Sequence, residues 1–423
     1  MHMKAAEIIE RLKIWGLAGA VSFARRKMHD AFDARRLAKL DAASSCRRHG
    51  AAPARGITVV GNLSSREGLS KTLRDFTRSL KEAGIPFQTY DTTPRPCVPA
   101  ADTAGLVTPP DAFDLHRFSH FVMMYRSPLA EEITRGHACA RIVFHDSEHG
   151  IHETMPFLRE SRDAIIAMSD FNFQYFKRAF PGRRVLKIVY PFRFKLENAA
   201  PRAGIRRKYG IGDGDFAVFF NFDFGSYCRK NIPAAMAAFS LAFKGDATAK
   251  LVFKSMGARK NRGRVREMEA AARGLGIEKQ FVHIPEYMPR ADLDGLTAAC
   301  DAYLSLHRSE GFGIGMAEAM SQGKPVVATG WSANTEFCRE DTSWRVPYSM
   351  VPILPGEYPA AMKEWAEADP AAAAKMLREI RERPDVAAAR AEAGRRFMES
   401  HFSIDAFRRD VEAFLSDAGG AGS

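Results

Sequence analysis

The 423-residue chain lacks the cysteine patterns of small secreted proteins and of zinc-binding proteins. Its six cysteines are widely scattered, and no two of them have C-x-x-C spacing: Cys46, Cys97, Cys139, Cys228, Cys300 and Cys338. Neither a disulfide framework nor a zinc site is therefore predicted. We expect reduced thiols in a cytoplasmic protein.

Long apolar runs are also missing. The longest, Ile14–Ala24, is interrupted by Gly and Ser, and it is shorter than the roughly 20 apolar residues that cross a bilayer. A signal peptide is the alternative interpretation, but Glu7 and Glu10 precede the run. Because the first part of a signal peptide normally lacks acidic residues, this alternative is disfavoured.

Acidic residues are too few to balance the basic ones, and the net charge is +12. Residues 1–50 contain eleven Lys and Arg against five Asp and Glu, which places +6 of the excess there. A helix predicted over 5–40 could lie on an anionic membrane, pack on the following domain or be a solvated basic helix. The interleaving of aromatic and basic residues that stacks bases is missing, so the membrane is favoured and nucleic acid is not expected.

From residue 56 onward, short β-branched runs alternate with helical patterns. Strands are predicted at 57–60, 85–90, 121–125, 141–144, 164–168, 185–189, 216–222, 250–254, 280–284, 302–306 and 325–329. Helices are predicted at 69–83, 232–243, 261–274, 290–299, 314–322 and, in pieces, 358–416. This alternation predicts an α/β protein whose parallel sheets are covered on both faces.

Residues 191–204 are interpreted as a linker with a hinge near 195. The predicted organisation is a basic helical segment at 1–50, an acceptor domain at 51–195 and a donor domain at 196–400. A C-terminal helix at 401–416 follows, for which a return to the first domain is one option. Ligands are expected between the two domains, at the carboxyl ends of their strands.

The most informative motif is Glu310-Gly-Phe-Gly-Ile-Gly-Met-Ala-Glu318. The pattern predicts a strand, a glycine-rich loop and a helix that begins near Gly313. Free N–H groups at such a helix start attract an anion such as a diphosphate, and glycines let it approach the backbone. Glu310 before the helix and Glu318 inside it could hold hydroxyls at two different parts of one ligand, for instance a sugar and a ribose. A solvated Glu318 is the alternative, although its neighbours are apolar.

The spacing Glu310-x7-Glu318, followed by Gly323–Thr329 (Gly-Lys-Pro-Val-Val-Ala-Thr), resembles the signature of glycosyltransferase family 4. Ser305–Gly313, Thr329–Phe337 and Phe222–Asn231 are similar to a bacterial branch of that family. The resemblance covers 215–350 well and 57–410 loosely. It implies retaining enzymes of GT-B fold, with two Rossmann-like domains facing across a cleft, here preceded by the N-terminal helical segment.

The resemblance also implies roles for single residues. Glu310 contacts the donor sugar and Glu318 the nucleotide ribose, while Lys230 grips the diphosphate. Many relatives have an Arg several residues before this Lys, where the present chain reads Phe-Gly-Ser-Tyr-Cys, so Arg229 or Lys254 is expected as the second cation. The remaining donor-binding candidates are Gly311, Phe312, Gly313, Ile314, Asn334 and, in the loop Gly61–Gly68, Gly68.

The stretch from His145 to Glu153 (His-Asp-Ser-Glu-His-Gly-Ile-His-Glu) has three interpretations. It could bind a metal, although its spacing fits no standard ligand set. It could be a structural loop with satisfied histidines. By resemblance to the family, His145 would lie near the acceptor and the donor sugar. Ser169, at the end of a later strand, is predicted to cap a helix.

We interpret the sequence as that of a retaining hexosyltransferase that moves a sugar from a nucleotide-sugar donor to a glycan or lipid-linked acceptor. No metal or cofactor is expected. The expected setting is bacterial cell-surface polysaccharide or lipopolysaccharide assembly, in the cytoplasm and peripherally at the inner face of the membrane.

Several other functions are alternatives. A glycoside hydrolase would need Glu310 and Glu318 across a sugar ring, which their position around one helix start does not suit. A nucleotide-sugar epimerase or a phosphorylase could have the same fold. A basic membrane- or nucleic-acid-binding protein could retain a degenerate scaffold, but the intact pairs Glu310/Glu318 and Arg229/Lys230 argue against decay.

Overall fold

The computed structural model describes residues 53–66, 68–93, 96–109, 111–124, 128–134, 137–149, 151, 155, 157–161, 163–192, 200–285, 287–358 and 362–416. By their internal contacts these residues form two compact units, one ending at Ile142 and the other beginning at Val143. The described residues contain two six-stranded parallel sheets whose strands alternate with helices along the chain. The α/β class predicted from the sequence is therefore confirmed.

The first sheet has six strands in the order β2-β1-β3-β4-β5-β6. They are Ala54–Gly61 (β1), Phe87–Asp91 (β2), Phe118–Met123 (β3), Ala138–Ile142 (β4), Ala164–Ala167 (β5) and Val185–Lys187 (β6). The helices of this region are Gly68–Glu82 (α1), Ala100–Thr103 (α2), Pro128–Ile133 (α3), Phe157–Glu160 (α4) and Asp170–Ala179 (α5). Ile57, Val59 and Val60 of β1 are fully buried, because both faces of a parallel sheet are covered. All six predicted strands and the helix at 69–83 are present, but β3 and β4 each begin three residues earlier than predicted.

The second sheet has six parallel strands in the order β12-β11-β10-β7-β8-β9. They are Phe216–Asp223 (β7), Ala249–Met256 (β8), Phe281–Ile284 (β9), Ala302–Ser305 (β10), Val326–Thr329 (β11) and Trp344–Val346 (β12). This is the strand order of a Rossmann sheet, whose switch point lies between β7 and β10. The sequence predicted five of these strands and missed the short edge strand β12.

Eight helices accompany this sheet in the described residues: Arg202–Lys208 (α6), Ile232–Phe243 (α7), Arg262–Leu275 (α8), Arg290–Ala299 (α9), Ile314–Ser321 (α10), Pro370–Glu382 (α11), Pro384–His401 (α12) and Ile404–Ser416 (α13). The predicted helices at 232–243, 261–274, 290–299 and 314–322 are confirmed. The predicted linker is helical from Arg202 onward, since Pro201 precedes the first turn of α6.

One prediction within 358–416 is wrong. Glu364–Ala368 (β14) is a strand that pairs antiparallel with Tyr348–Pro352 (β13). Trp365 and Ala366 are buried there, whereas Glu364 is exposed. Pairing with β13 and burial of Trp365 therefore override the helix propensity of this Ala- and Glu-rich stretch.

Some predictions about chain organisation fall outside the described residues. They are the basic helical segment at 1–50 with the run Ile14–Ala24, and the hinge near 195, which lies in 193–199. The domain boundaries and the cleft stay predictions. The C-terminal helix predicted at 401–416 corresponds to α13. Its Asp410 accepts a hydrogen bond from the Val189 backbone N–H at 2.8 Å. None of the helices that the structure describes has the length and apolarity to cross a bilayer.

Candidate functional site

Glu310 is a buried carboxylate with two cationic partners. It lies between β10 and α10 and is 6% exposed. The Lys230 ammonium donates to Oε1, and Arg229 Nη1 lies 3.2 Å from Oε2. Burial would raise the pKa of Glu310, but the positive charges of Lys230 and Arg229 lower it to about 2. Glu310 is therefore ionised at neutral pH.

The backbone of Glu310 is held by a strained residue, Ser332. The Glu310 N–H donates to Ser332 Oγ at 2.9 Å, and its carbonyl accepts from the Ala333 N–H at 3.3 Å. Ser332 has φ 72° and ψ −152°, a region that is essentially restricted to glycine and costs about 1–3 kcal/mol. The position of Glu310 thus depends on a strained turn after β11.

Arg229 lies between two carboxylates. Its Nη1 donates to the Ser309 carbonyl at 2.7 Å and faces Glu310, while its Nε lies 2.8 Å from Asp146 Oδ2 in an ion pair. The same Asp146 oxygen accepts from the Tyr358 hydroxyl at 2.6 Å. Burial would lower the pKa of Arg229, but Glu310 and Asp146 raise it above its ordinary value. Arg229 is therefore a fixed, charged group.

Lys254 is a buried cation of a different kind. It lies near the carboxyl end of β8, in register with Asn221 of β7, and is 5% exposed. Its ammonium has no hydrogen bond or ion pair with any residue that the structure describes. Burial lowers the pKa of Lys254 to about 8, and Asp223 opposes this effect from a distance. An anion that reached this ammonium would meet no competing partner.

The first turns of α10 pack closely over the switch point of the sheet. The Tyr303 hydroxyl donates to Asn221 Oδ1 at 2.5 Å, and a Cβ on Gly315 would lie 2.3 Å from that hydroxyl. Glu318, farther along α10, forms an ion pair with Arg290 of α9, and its side chain is 11% exposed. Glu318 is therefore not the solvated surface residue of the alternative interpretation.

Two glycines of the predicted loop lie where a side chain would be strained or crowded. Gly313 has φ 95° and precedes the first residue of α10. A Cβ on Gly311 would lie 3.3 Å from the His145 carbonyl oxygen, and the Gly311 carbonyl accepts from Ser169 Oγ at 3.0 Å. Ser169 also accepts from the Asn172 N–H at 3.2 Å, which confirms the predicted cap of α5.

The other loop candidates lie in packed positions. Phe312 is buried in an aromatic cluster with Tyr190, Phe192, Phe337 and Phe402. Asn334 is fully buried, donates to the Thr329 carbonyl at 2.9 Å and lies 2.9 Å from His307 Nε2. Ile314 is the half-buried first residue of α10. These three side chains shape the loop around Glu310.

His145 is buried in its own loop. Its Nε2 lies 2.8 Å from the His149 carbonyl oxygen, and its ring stacks on Tyr175 at 5.3 Å. Burial lowers the pKa of His145. Because a carbonyl only accepts, the proton is assigned to Nε2. No three metal-ligating side chains converge among the described residues; His152 and Glu153 lie outside them.

The predicted site residues fall into two groups by position. Gly68 is the exposed first residue of α1 in the first unit. All the others lie in the second unit, where Arg229, Lys230 and Glu310 are in direct contact.

Sequence reasoning missed four residues of this site: Asp146, Arg290, Ser332 and Tyr358. Asp146 directly follows His145 in a motif that three histidines dominate, so its residue type alone does not single it out. The other three have no local signal, because folding of β13 and β14, α9 and the turn after β11 brings them to the site.

Residues 224–354 match the family model described as Glycosyl transferases group 1. The matched segment includes Arg229, Lys230, Lys254, Glu310 and Glu318. No curated protein sequence matches the chain.

Solved structures share the fold of almost the whole chain. HepE of Anabaena in complex with UDP and glucose has 18% identity and a TM-score of 0.62, over 86% of this chain and 100% of that one. Sucrose-phosphate synthase from Thermosynechococcus elongatus has 14% identity and a TM-score of 0.64, over 87% and 100%. A glycosyltransferase from Rickettsia africae has 13% identity and a TM-score of 0.62, over 87% and 100%. The chain thus has the fold of GT-B glycosyltransferases.

Proposed function

We propose that the protein is a retaining glycosyltransferase that takes a sugar from a nucleotide-sugar donor. The observation that carries this proposal is Glu310, a buried carboxylate kept ionised by Lys230 and Arg229 beside a glycine-rich loop. Lys254 adds a buried cation without a partner among the described residues. The family match and the fold support the glycosyltransferase part of this proposal.

The donor would bind through three contacts. Its diphosphate would bind to Lys230, to Lys254 and to the amino end of α10, where free N–H groups favour an anion. Its sugar hydroxyls donate to Glu310, and its ribose hydroxyls donate to Glu318, which forms an ion pair with Arg290 in this structure. Carboxylates accept such hydrogen bonds strongly. This arrangement assigns each buried charge to one part of the donor.

The transfer step breaks the bond between the anomeric carbon and the diphosphate oxygen. The acceptor hydroxyl oxygen forms the new bond on the face that the diphosphate leaves, which retains the configuration, and its proton passes to the leaving diphosphate. Negative charge develops on the diphosphate, where preorganised cations are most effective. We propose no metal or cofactor, because Lys230 and Lys254 supply positive charge at this place.

The acceptor is proposed to be a glycan or a lipid-linked sugar in bacterial cell-surface polysaccharide or lipopolysaccharide synthesis. The basic residues of segment 1–50 would attract the chain to the anionic cytoplasmic face of the membrane. Sedimentation of the full chain with phosphatidylglycerol vesicles tests this part. Binding that is absent with phosphatidylcholine vesicles and weakens with salt is expected; equal binding to both would contradict it.

Thermal unfolding with UDP, GDP, ADP and their sugar conjugates tests the donor site. A ligand that binds only the folded state stabilises it by about 2.7 kcal/mol at a concentration of 100 Kd. One nucleotide family should raise the Tm of the native protein, with a smaller rise in Lys254→Met and Glu318→Gln. Lys375→Met, a change at an exposed lysine of α11, should leave the rise unchanged.

Two other results would redirect the proposal. If no nucleotide stabilises the protein while anionic vesicles or nucleic acid do, the basic binding-protein alternative replaces the transferase. If a nucleotide binds, product analysis separates the remaining chemistries. An epimerase changes the sugar of the free donor and a phosphorylase requires inorganic phosphate, whereas a transferase releases the nucleoside diphosphate and forms a glycoside.

A further inference from the structure

Two side chains outside the sequence-predicted site support Arg229, the cation that faces Glu310: Asp146 pairs with it, and Tyr358 binds Asp146. Asp146 follows β4 and Tyr358 lies between β13 and β14. The Tyr358 hydroxyl donates to Asp146 Oδ2 at 2.6 Å, and the same oxygen lies 2.8 Å from Arg229 Nε. The Asp146 backbone carbonyl also accepts from Ser309 Oγ, next to Glu310. Segments distant in sequence thus converge on one guanidinium.

Each guanidinium nitrogen of Arg229 already has a polar neighbour. Its Nη1 faces the Ser309 carbonyl at 2.7 Å and Glu310 Oε2 at 3.2 Å, its Nε faces Asp146, and its Nη2 lies 3.4 Å from Ser226 Oγ. The side chain is 13% exposed. A guanidinium donates in one plane in fixed directions, so Arg229 could turn to a diphosphate only by leaving two carboxylates.

The other two cations are not restrained in this way. Lys230 pairs with Glu310 through a rotatable ammonium, and Lys254 has no hydrogen-bond or ion-pair partner among the described residues. An ammonium can exchange one anion for another without the directional constraint of a guanidinium. The structure therefore separates a fixed guanidinium from two ammonium groups that can turn towards a ligand, of which, among the described residues, only Lys230 must exchange a partner.

We propose that Asp146 and Tyr358 are positioning residues that hold Arg229 against Glu310. Arg229 then orients the carboxylate that receives the donor sugar, and the diphosphate is bound by Lys230 and Lys254. This inference rests on the proposed function and assigns two residues that neither the motif nor the family match singles out.

The proposal predicts a separation between nucleotide binding and sugar binding. If Arg229 acts through Glu310, loss of its tether affects only the affinity that the sugar adds to the nucleotide. This gain is the ratio of the Kd of UDP to the Kd of UDP-glucose. If Arg229 bound the diphosphate, loss of the tether would weaken both ligands equally and the ratio would not change.

The experiment is calorimetric titration of the full-length protein and its variants with UDP and UDP-glucose. If thermal unfolding selects another nucleotide and its sugar conjugate, that pair is used. Tyr358→Phe removes one hydroxyl and Asp146→Asn removes one charge with little change of shape. Tyr209→Phe is the matched control, since the Tyr209 hydroxyl makes no hydrogen bond among the described residues. Lys254→Met is the comparison for diphosphate binding.

We expect Tyr358→Phe and Asp146→Asn to lower the ratio about five- to tenfold, the loss expected for one buried hydrogen bond or ion-pair contact. The Kd of UDP should stay within about twofold of the wild-type value. Lys254→Met should weaken UDP and UDP-glucose by the same factor and leave the ratio unchanged. Tyr209→Phe should change neither ligand.

Three results would overturn the inference. If Tyr358→Phe and Asp146→Asn weaken UDP as much as UDP-glucose, Arg229 binds the diphosphate, and the proposed function stands without this assignment. If neither variant changes either ligand, Asp146 and Tyr358 do not position Glu310. If the wild-type protein binds no nucleoside diphosphate, the proposed function fails and this inference fails with it. Circular dichroism verifies folding, and Tyr358→Phe suffices if Asp146→Asn does not fold.

Discussion

Replacing Lys254 by Met is expected to stabilise the protein and to weaken its binding of nucleotide. The ammonium of Lys254 is 5% exposed and has no ion pair or hydrogen bond among the described residues. A buried charge without a partner destabilises the folded state. A diphosphate would compensate the same charge, so the residue that reduces stability in the free protein contributes affinity in the complex.

The size of the effect follows from the pKa of Lys254. Its ordinary value is 10.5 and burial lowers it to about 8. At about 1.4 kcal/mol for each pH unit, the charged form costs about 3 kcal/mol of folding free energy at neutral pH. Because the pKa is lower in the folded state, this cost is complete below pH 8 and declines as the pH rises from 8 to 10.5. Methionine has no charge and removes it.

Urea unfolding followed by tryptophan fluorescence measures this difference, since three of the four tryptophans (Trp331, Trp344 and Trp365) lie in the second unit. At pH 7, Lys254→Met should raise the free energy of unfolding by up to about 3 kcal/mol. The gain should be mostly gone at pH 10. Lys375→Met should change little at either pH. A less stable Lys254→Met variant at pH 7, or one that binds UDP as well as wild type, would refute the reasoning.

Three further predictions concern Glu310 and its surroundings. Glu310→Gln leaves Lys230 without its carboxylate partner and Arg229 with Asp146 alone, and it should cost about 3–5 kcal/mol at pH 7. Its unfolding free energy should also lack the wild-type loss as the pH falls from 4.5 towards 2. Ser332→Gly should be more stable than Ser332→Ala by about 1 kcal/mol in urea unfolding, because both lose the hydroxyl but only glycine relieves the strained φ. Gly315→Ala should destabilise the folded protein by about 1–3 kcal/mol, because the new methyl group would overpack against Tyr303. Gly274→Ala is the control: this glycine of α8 has open space around it, and the change should stabilise the protein slightly. Equal effects of the two substitutions would contradict the packing argument.

The elements around the candidate site could be predicted because their signals are local. β10, the glycine loop and α10 follow one another within Ala302–Ser321. The positive φ at Gly313 is predictable from the residue type, because glycine adopts it without steric cost. The same holds for Ser169, whose hydroxyl caps the helix that follows it. Hydrophobic period and turn chemistry suffice where an element and its boundary depend on neighbours in sequence.

Partners that meet only in the fold could not be predicted. Nothing near Tyr358 in sequence indicates a contact with Asp146, which is 212 positions away. The pairing of Glu318 with Arg290 depends on the packing of α10 beside α9. The sequence of β14 predicts helix for a related reason, since the pairing of β14 with β13 is a tertiary contact. Local propensity is a weak guide where such contacts decide.

The pKa of Lys254 has a consequence for ligand binding itself. Between pH 8 and 10.5 the free protein holds Lys254 largely neutral, whereas a bound diphosphate would restore the charged form. Binding of UDP at pH 9 should therefore take up a proton, and the Kd should rise with pH above 8. Titration calorimetry at pH 9, in two buffers that differ in ionisation enthalpy, measures this uptake. Lys254→Met should abolish it, while uptake that persists in that variant would show that another group titrates on binding.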